Sequence, residues 1–156
     1  MIQNTDIRAP YAPSARTNGT VVAYGLGALV TAGALVYAVV DQLAVGGLDG
    51  HLHRLYDPVG KYGEAAPLYG YLYAVGVIGL LCWWANLRRA VRGARGTRRL
   101  GVITLVVALL PVAAPLVLQE YGQPVIPVQL IAGYLVAWLL GLVGVVLAGR
   151  ATTPGA

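Results

Sequence analysis

Asp41 and Glu120 each close a long apolar run, at what would be the C-terminal end of a helix, where the helix dipole opposes a carboxylate. A residue that breaks a local rule without evident compensation marks a candidate site. His53, Asp57 and Glu64 lie between the first two apolar runs, Gln42 follows Asp41, and Gln129 lies just past Glu120. Gathered at one end of a bundle, Asp41, His53, Asp57, Glu64, Glu120 and Gln129 would form a polar mouth. Carboxylates coupled to an imidazole there would bind a ligand in a pH-dependent way. The plainer expectation is that Arg54 and Lys61, in the same segment, neutralise the two acids.

Other chemistries are thinly represented. His51 and His53 form an H-x-H pair beside Asp49 and Asp57, but residues two apart point about 200° apart around a helix, and a metal needs three or four converging donors. No metal is expected; His53 is expected to pair with Asp49 and Asp57, one turn to either side. The single Cys82 excludes dithiol redox chemistry. Phosphate-binding glycine loops, nucleophile elbows and zinc spacings are absent, and no cofactor is expected.

The elements that would position these groups are membrane spans. The chain has 156 residues, 58% of them hydrophobic and 11% charged, with mean hydropathy +0.69, too much apolar surface for one small water-soluble core. Four runs, 20–45, 67–87, 100–118 and 125–148, reach the roughly 18 to 20 residues that cross a bilayer, and they are apolar on every face, unlike barrel strands. The fold class is therefore all-α, a polytopic four-transmembrane-helix bundle over 20–149. Residues 1–19, with Pro10 and Pro13, read as a flexible cytoplasmic tail, and 150–156 as a cytoplasmic stub. The first run outlasts a signal-peptide core and reads as a retained span, despite the small residues Ala32-Gly33-Ala34.

Orientation follows from the basic residues. Arg88, Arg89, Arg92, Arg95, Arg98 and Arg99 crowd the connection between the second and third runs, Arg8 and Arg16 precede the first and Arg150 follows the last, whereas the other two connections hold only Arg54 and Lys61. Positive charge stays inside, so both termini face the cytoplasm of a bacterial inner membrane. The net charge of +5 is explained by topology and anionic lipid headgroups, without nucleic acid. The arginine loop is the expected surface for lipid or a partner subunit, and a homo-oligomer is an allowed assembly.

Between the first two runs, Val45, Leu48, Leu52, Leu55 and Val59 recur at helical spacing, which predicts a short amphipathic helix on the outer membrane surface. Pro67 suits the first turn of the second span. Small residues every fourth position, Ala23, Gly27 and Thr31, and Gly133, Ala137 and Gly141, allow close helix approach. Tyr69, Tyr73, Trp83 and Trp84 read as interfacial anchors, while Trp138 is deep enough to need a partner for its indole N–H. Pro111 and Pro115 strip the carbonyls of Val107 and Pro111 of their helical donors, which kinks the third span and exposes carbonyls to another donor or a pocket.

In layout the chain resembles the DoxX-like group of small bacterial membrane proteins. The resemblance rests on the loop Gly47-Leu48-Asp49-Gly50-His51, the short arginine-rich loop and Tyr121-Gly122-Gln123-Pro124, and it implies an accessory-subunit or small-ligand role. The leading expectation is a non-enzymatic protein that binds an apolar small molecule or a partner subunit. An oligomeric cation or drug exporter and a membrane-embedded isomerase or cyclase are the alternatives.

Overall fold

The computed structural model describes residues 15–94 and 96–151. It is all-α apart from one tiny hairpin: α1 spans Ala15–Val40, α2 Gly47–Tyr56, α3 Ala65–Val91, α4 Thr97–Val117 and α5 Val128–Ala151. Four helical segments, Asn18–Val45, Ala65–Val91, Thr97–Val117 and Val128–Arg150, are long and apolar enough to cross a membrane. Outward-facing Leu29, Val36, Leu81, Leu110 and Val117 give the bundle an apolar exterior that only lipid solvates well. The fold is that of a multi-pass membrane protein.

Helix ends differ by a few residues from the runs read in the sequence, and two of the differences fall on the expected tails. Helix α1 begins at Ala15, ahead of its apolar run, so 15–19 belong to the helix; the rest of the 1–19 tail lies outside the described residues. Helix α5 runs on to Ala151, and the remainder of the 150–156 stub is likewise outside them.

Helix α1 is the hub and packs most extensively on α5 and α3; α4 leans on α5, while α3 and α4 touch each other only lightly. The small-residue stripes serve this packing. A Cβ on Gly133 would meet Ala34 Cβ at 2.7 Å, and Cβ atoms on Gly27 and Gly141 would meet the Trp83 ring at 2.6 and 2.9 Å. Trp83 is therefore a buried core residue and not an interfacial anchor: its N–H donates to Thr31 Oγ1 at 2.9 Å. Trp84 does face outward, with the Arg88 guanidinium 5.1 Å from its ring centroid.

The amphipathic helix of the first loop is present as α2, but its apolar face does not rest on a membrane surface. Leu48, Leu52 and Leu55 are buried, and the first two join Ala38, Leu72 and Ile131 in the main core. Packing of α2 onto the bundle end replaces lipid contact because α1, α3 and α5 leave an apolar socket there. The connection between α4 and α5 is an antiparallel hairpin, β1 (Gln119–Glu120) and β2 (Gln123–Pro124), turned at Tyr121 and Gly122 with φ of 52° and 78°. Positive φ at both turn positions matches the strand twist.

Candidate functional site

Asp41 is 3% exposed, although the sequence places it at a membrane surface. After Val40 the chain makes a wide π turn over Asp41–Val45, and Gly46, at φ 65°, reverses it into α2. The reversal brings the first amides of α2 over the carboxylate. Gly47 N–H donates to Oδ1 at 3.1 Å, Leu48 N–H to Oδ2 at 3.0 Å, and the Tyr69 hydroxyl to Oδ2 at 2.6 Å. The acid at the wrong end of one helix thus caps the right end of the next, where the dipole favours it. A Cβ at residue 47 would lie 2.5 Å from Oδ1, so this approach needs glycine. Neither Arg54 nor Lys61 is bonded to Asp41; backbone amides and a phenol compensate it instead. Tyr69, buried at 3%, is part of this network and not an interfacial anchor. Tyr73 stacks near it, with ring centroids 6.3 Å apart, and donates to Gln42 Oε1.

The remaining residues of the expected mouth lie elsewhere at the same end. Glu120, on the hairpin, accepts from the Tyr56 hydroxyl at 2.5 Å, and Lys61 donates to the Tyr121 hydroxyl at 2.9 Å. The bond to Glu120, with burial second, pushes the Tyr56 phenol up to about 12. Tyr56 therefore keeps its proton through the ordinary tyrosine range and is lost as a donor only above it. The hydrogen bond to Tyr121 likewise raises the Lys61 ammonium. His53 sits between Asp49 and Asp57 at 3.5 and 3.4 Å, on the exposed face of α2, as its spacing requires. His51 pairs with the Pro124 carbonyl at 2.8 Å, tying α2 to the hairpin. Glu64 precedes α3, exposed and without a capping bond, and Gln129 is exposed on the first turn of α5. The structure divides the polar cap into a buried Asp41 centre and separate exposed pairs. Among the described residues no three His, Cys, Asp or Glu side chains are placed to hold a metal.

At the opposite end, Arg88, Arg89, Arg92, Arg98 and Arg99 are all exposed; Arg95 lies outside the described residues. Arg88, Arg89 and Arg92 complement the dipole at the end of α3, whereas Arg98 and Arg99 stand in the first turn of α4, where it opposes them.

The feature best suited to holding a ligand is inside the bundle. A cavity of about 330 Å³, walled almost wholly by apolar side chains, fills the seam between α3 and α4 and is backed by α1 and α5. The proline pair shapes one end. Pro115 has no N–H for the Pro111 carbonyl, and the Tyr71 hydroxyl donates to it instead. Trp138, expected to need a partner, donates to the Leu105 carbonyl at 3.0 Å and lines the middle beside Trp83. Toward the arginine end the wall is formed by Tyr24, Asn86 and Thr104. The stretch of α3 from Tyr71 to Asn86 covers about 22 Å, so the cavity is long and narrow.

Tyr24 and Asn86 did not stand out in the sequence. The available signal for Asn86 was a lone amide in an apolar run, a costly residue to bury in lipid without a role. For Tyr24 there was none, because tyrosine is common in this chain. Comparison with known protein families, with curated proteins and with solved structures returns no match for this chain.

Proposed function

We propose that this membrane protein binds an apolar small molecule in the α3–α4 cavity, taken up sideways from the bilayer through the seam between those helices. The cavity carries the reading. Its volume lies at the lower end of the roughly 300 to 1,000 Å³ of small-molecule sites, and its apolar walls with few polar groups match their usual make-up. No carboxylate or histidine lines it, so the groups that a cyclase, an isomerase or a proton-coupled exporter would use stand away from this cavity. Binding without turnover is the function this wall supports.

Bromoundecane tests it, because bromine quenches nearby tryptophans. In a Trp84→Phe background, Trp83 and Trp138 remain, and both line the cavity. Saturable quenching is expected, weakened roughly tenfold by Ala108→Phe, which fills the wall. Quenching that only rises linearly with probe and ignores Ala108→Phe would overturn the reading.

The arginine loop and both termini belong, on this proposal, to the cytoplasmic side of a bacterial inner membrane, with the loop against anionic headgroups. Reporter fusions within Gly93–Gly96 and after Arg150 should read cytoplasmic, and one near Lys61 external. A cytoplasmic signal at Lys61 would reverse the assignment.

A further inference from the structure

Among the described residues two buried side-chain polar atoms, the Tyr24 hydroxyl and Asn86 Oδ1, have no hydrogen-bond partner, and both residues line the cavity. Each side chain is 1% exposed. Unpaired polar atoms at such depth are costly, and in hydrocarbon there is no water to relieve them.

The orientation of the Asn86 amide is fixed by its neighbours. Its Nδ2 donates to the Cys82 carbonyl at 2.9 Å and to Thr104 Oγ1 at 3.1 Å, while the Thr104 hydroxyl donates onward to the Leu100 carbonyl at 3.0 Å. A flipped amide would set oxygen against the Cys82 carbonyl, so Oδ1 is the free atom and it can only accept. The Tyr24 hydroxyl reaches the same turn of α4: a Cβ on Gly101 would lie 2.5 Å from it. One free acceptor and one free hydroxyl therefore belong to residues that wall the arginine end of a long apolar slot.

We infer that the occupant is a long-chain molecule with an uncharged terminal hydroxyl, seated with its head between Tyr24 and Asn86 and its chain running toward Pro111. A hydroxyl donates to Oδ1 and accepts from the tyrosine, satisfying both atoms at once. A carboxylate head is disfavoured, since no Lys or Arg lines the cavity. The apolar wall accepts any chain that fits the slot and so selects little among apolar bodies. Discrimination is left to the head. This inference rests on the cavity being a ligand site.

The test compares bromoundecanol, its methyl ether and bromoundecane by tryptophan quenching in the Trp84→Phe protein, at matched concentrations in detergent. The alcohol is expected to bind roughly tenfold more tightly than either analogue, and Tyr24→Phe and Asn86→Leu to erase that preference while leaving bromoundecane binding unchanged. Tyr24→Phe removes only an unpartnered hydroxyl, so it folds even where Asn86→Leu does not. Equal saturable binding of all three probes, or an alcohol preference that survives Tyr24→Phe, overturns the head-group assignment and leaves the cavity reading standing. Absence of saturable quenching by any probe overturns both.

Discussion

Replacing Asp41 by alanine is expected to lower stability by about 3 kcal/mol, as one buried acceptor of charge-assisted hydrogen bonds disappears and its donors stay buried. The donors are the Gly47 and Leu48 amides and the Tyr69 hydroxyl, and the first two would be left as orphans at the start of α2. Asp41→Asn should cost less, about 1 to 2 kcal/mol, since one oxygen remains and the new amide N–H₂ faces a donor. Tyr69→Phe should cost about 1 kcal/mol alone and less in the Asp41→Ala background, because the two changes break a shared bond. Thermal unfolding in detergent reads all four proteins. The sign decides the matter: were Asp41 merely a solvated acid at the end of α1, neutralising it would relieve a dipole conflict and raise stability by about 0.3 to 1 kcal/mol. A stabilised Asp41→Asn would remove the capping account of this turn.

Asp41 also shows where sequence reasoning stopped. Its type and its position at the end of an apolar run were enough to single it out, and so were the dipole rule it breaks and the missing compensation. The compensation itself lies in a chain reversal, a π turn closed by Gly46 in the left-handed region, and a pair of glycines after an aspartate does not reveal how far the following amides swing back. The polar mouth failed to assemble for the same reason. Glu120, His53 and Asp57 share an end of the bundle with Asp41, but a helix packed on that end, with Leu48 and Leu52 in the core, separates what lies beneath from what lies above.

Single-helix geometry was more legible. The pairing of His53 with residues four before and four after it follows from the turn of one helix, and so does the need of the Pro111 carbonyl for an outside donor. The donor's identity, Tyr71 on a neighbouring helix, does not follow. The orphan atoms of the cavity lie at the far limit of legibility. That the Tyr24 hydroxyl and Asn86 Oδ1 lack partners is a property of three helices at once, and no spacing within one of them encodes it.

The same limit applies to the pair Trp83 and Trp84, adjacent in sequence and opposite in environment, and their alanine variants should separate widely. Trp83→Ala is expected to cost about 3 to 5 kcal/mol, the range for deleting a large buried aromatic. Its ring fills the space over Gly27 and Gly141, its N–H occupies Thr31 Oγ1, and it packs on Tyr24 with centroids 5.9 Å apart. Gly27 and Gly141, which face the ring, have no side chain to fill the gap. Trp84→Ala, by contrast, removes an outward ring and one contact with Arg88, about 0.5 to 1 kcal/mol. Because Trp83 also lines the cavity, its loss joins a new void to an existing one, and bromoundecane should restore more of the melting temperature to Trp83→Ala than it adds to the native protein. Equal losses for the two variants would mean that both rings sit at the membrane interface, as their place in the run alone implies, and that the glycines of α1 and α5 are not spaced for an indole.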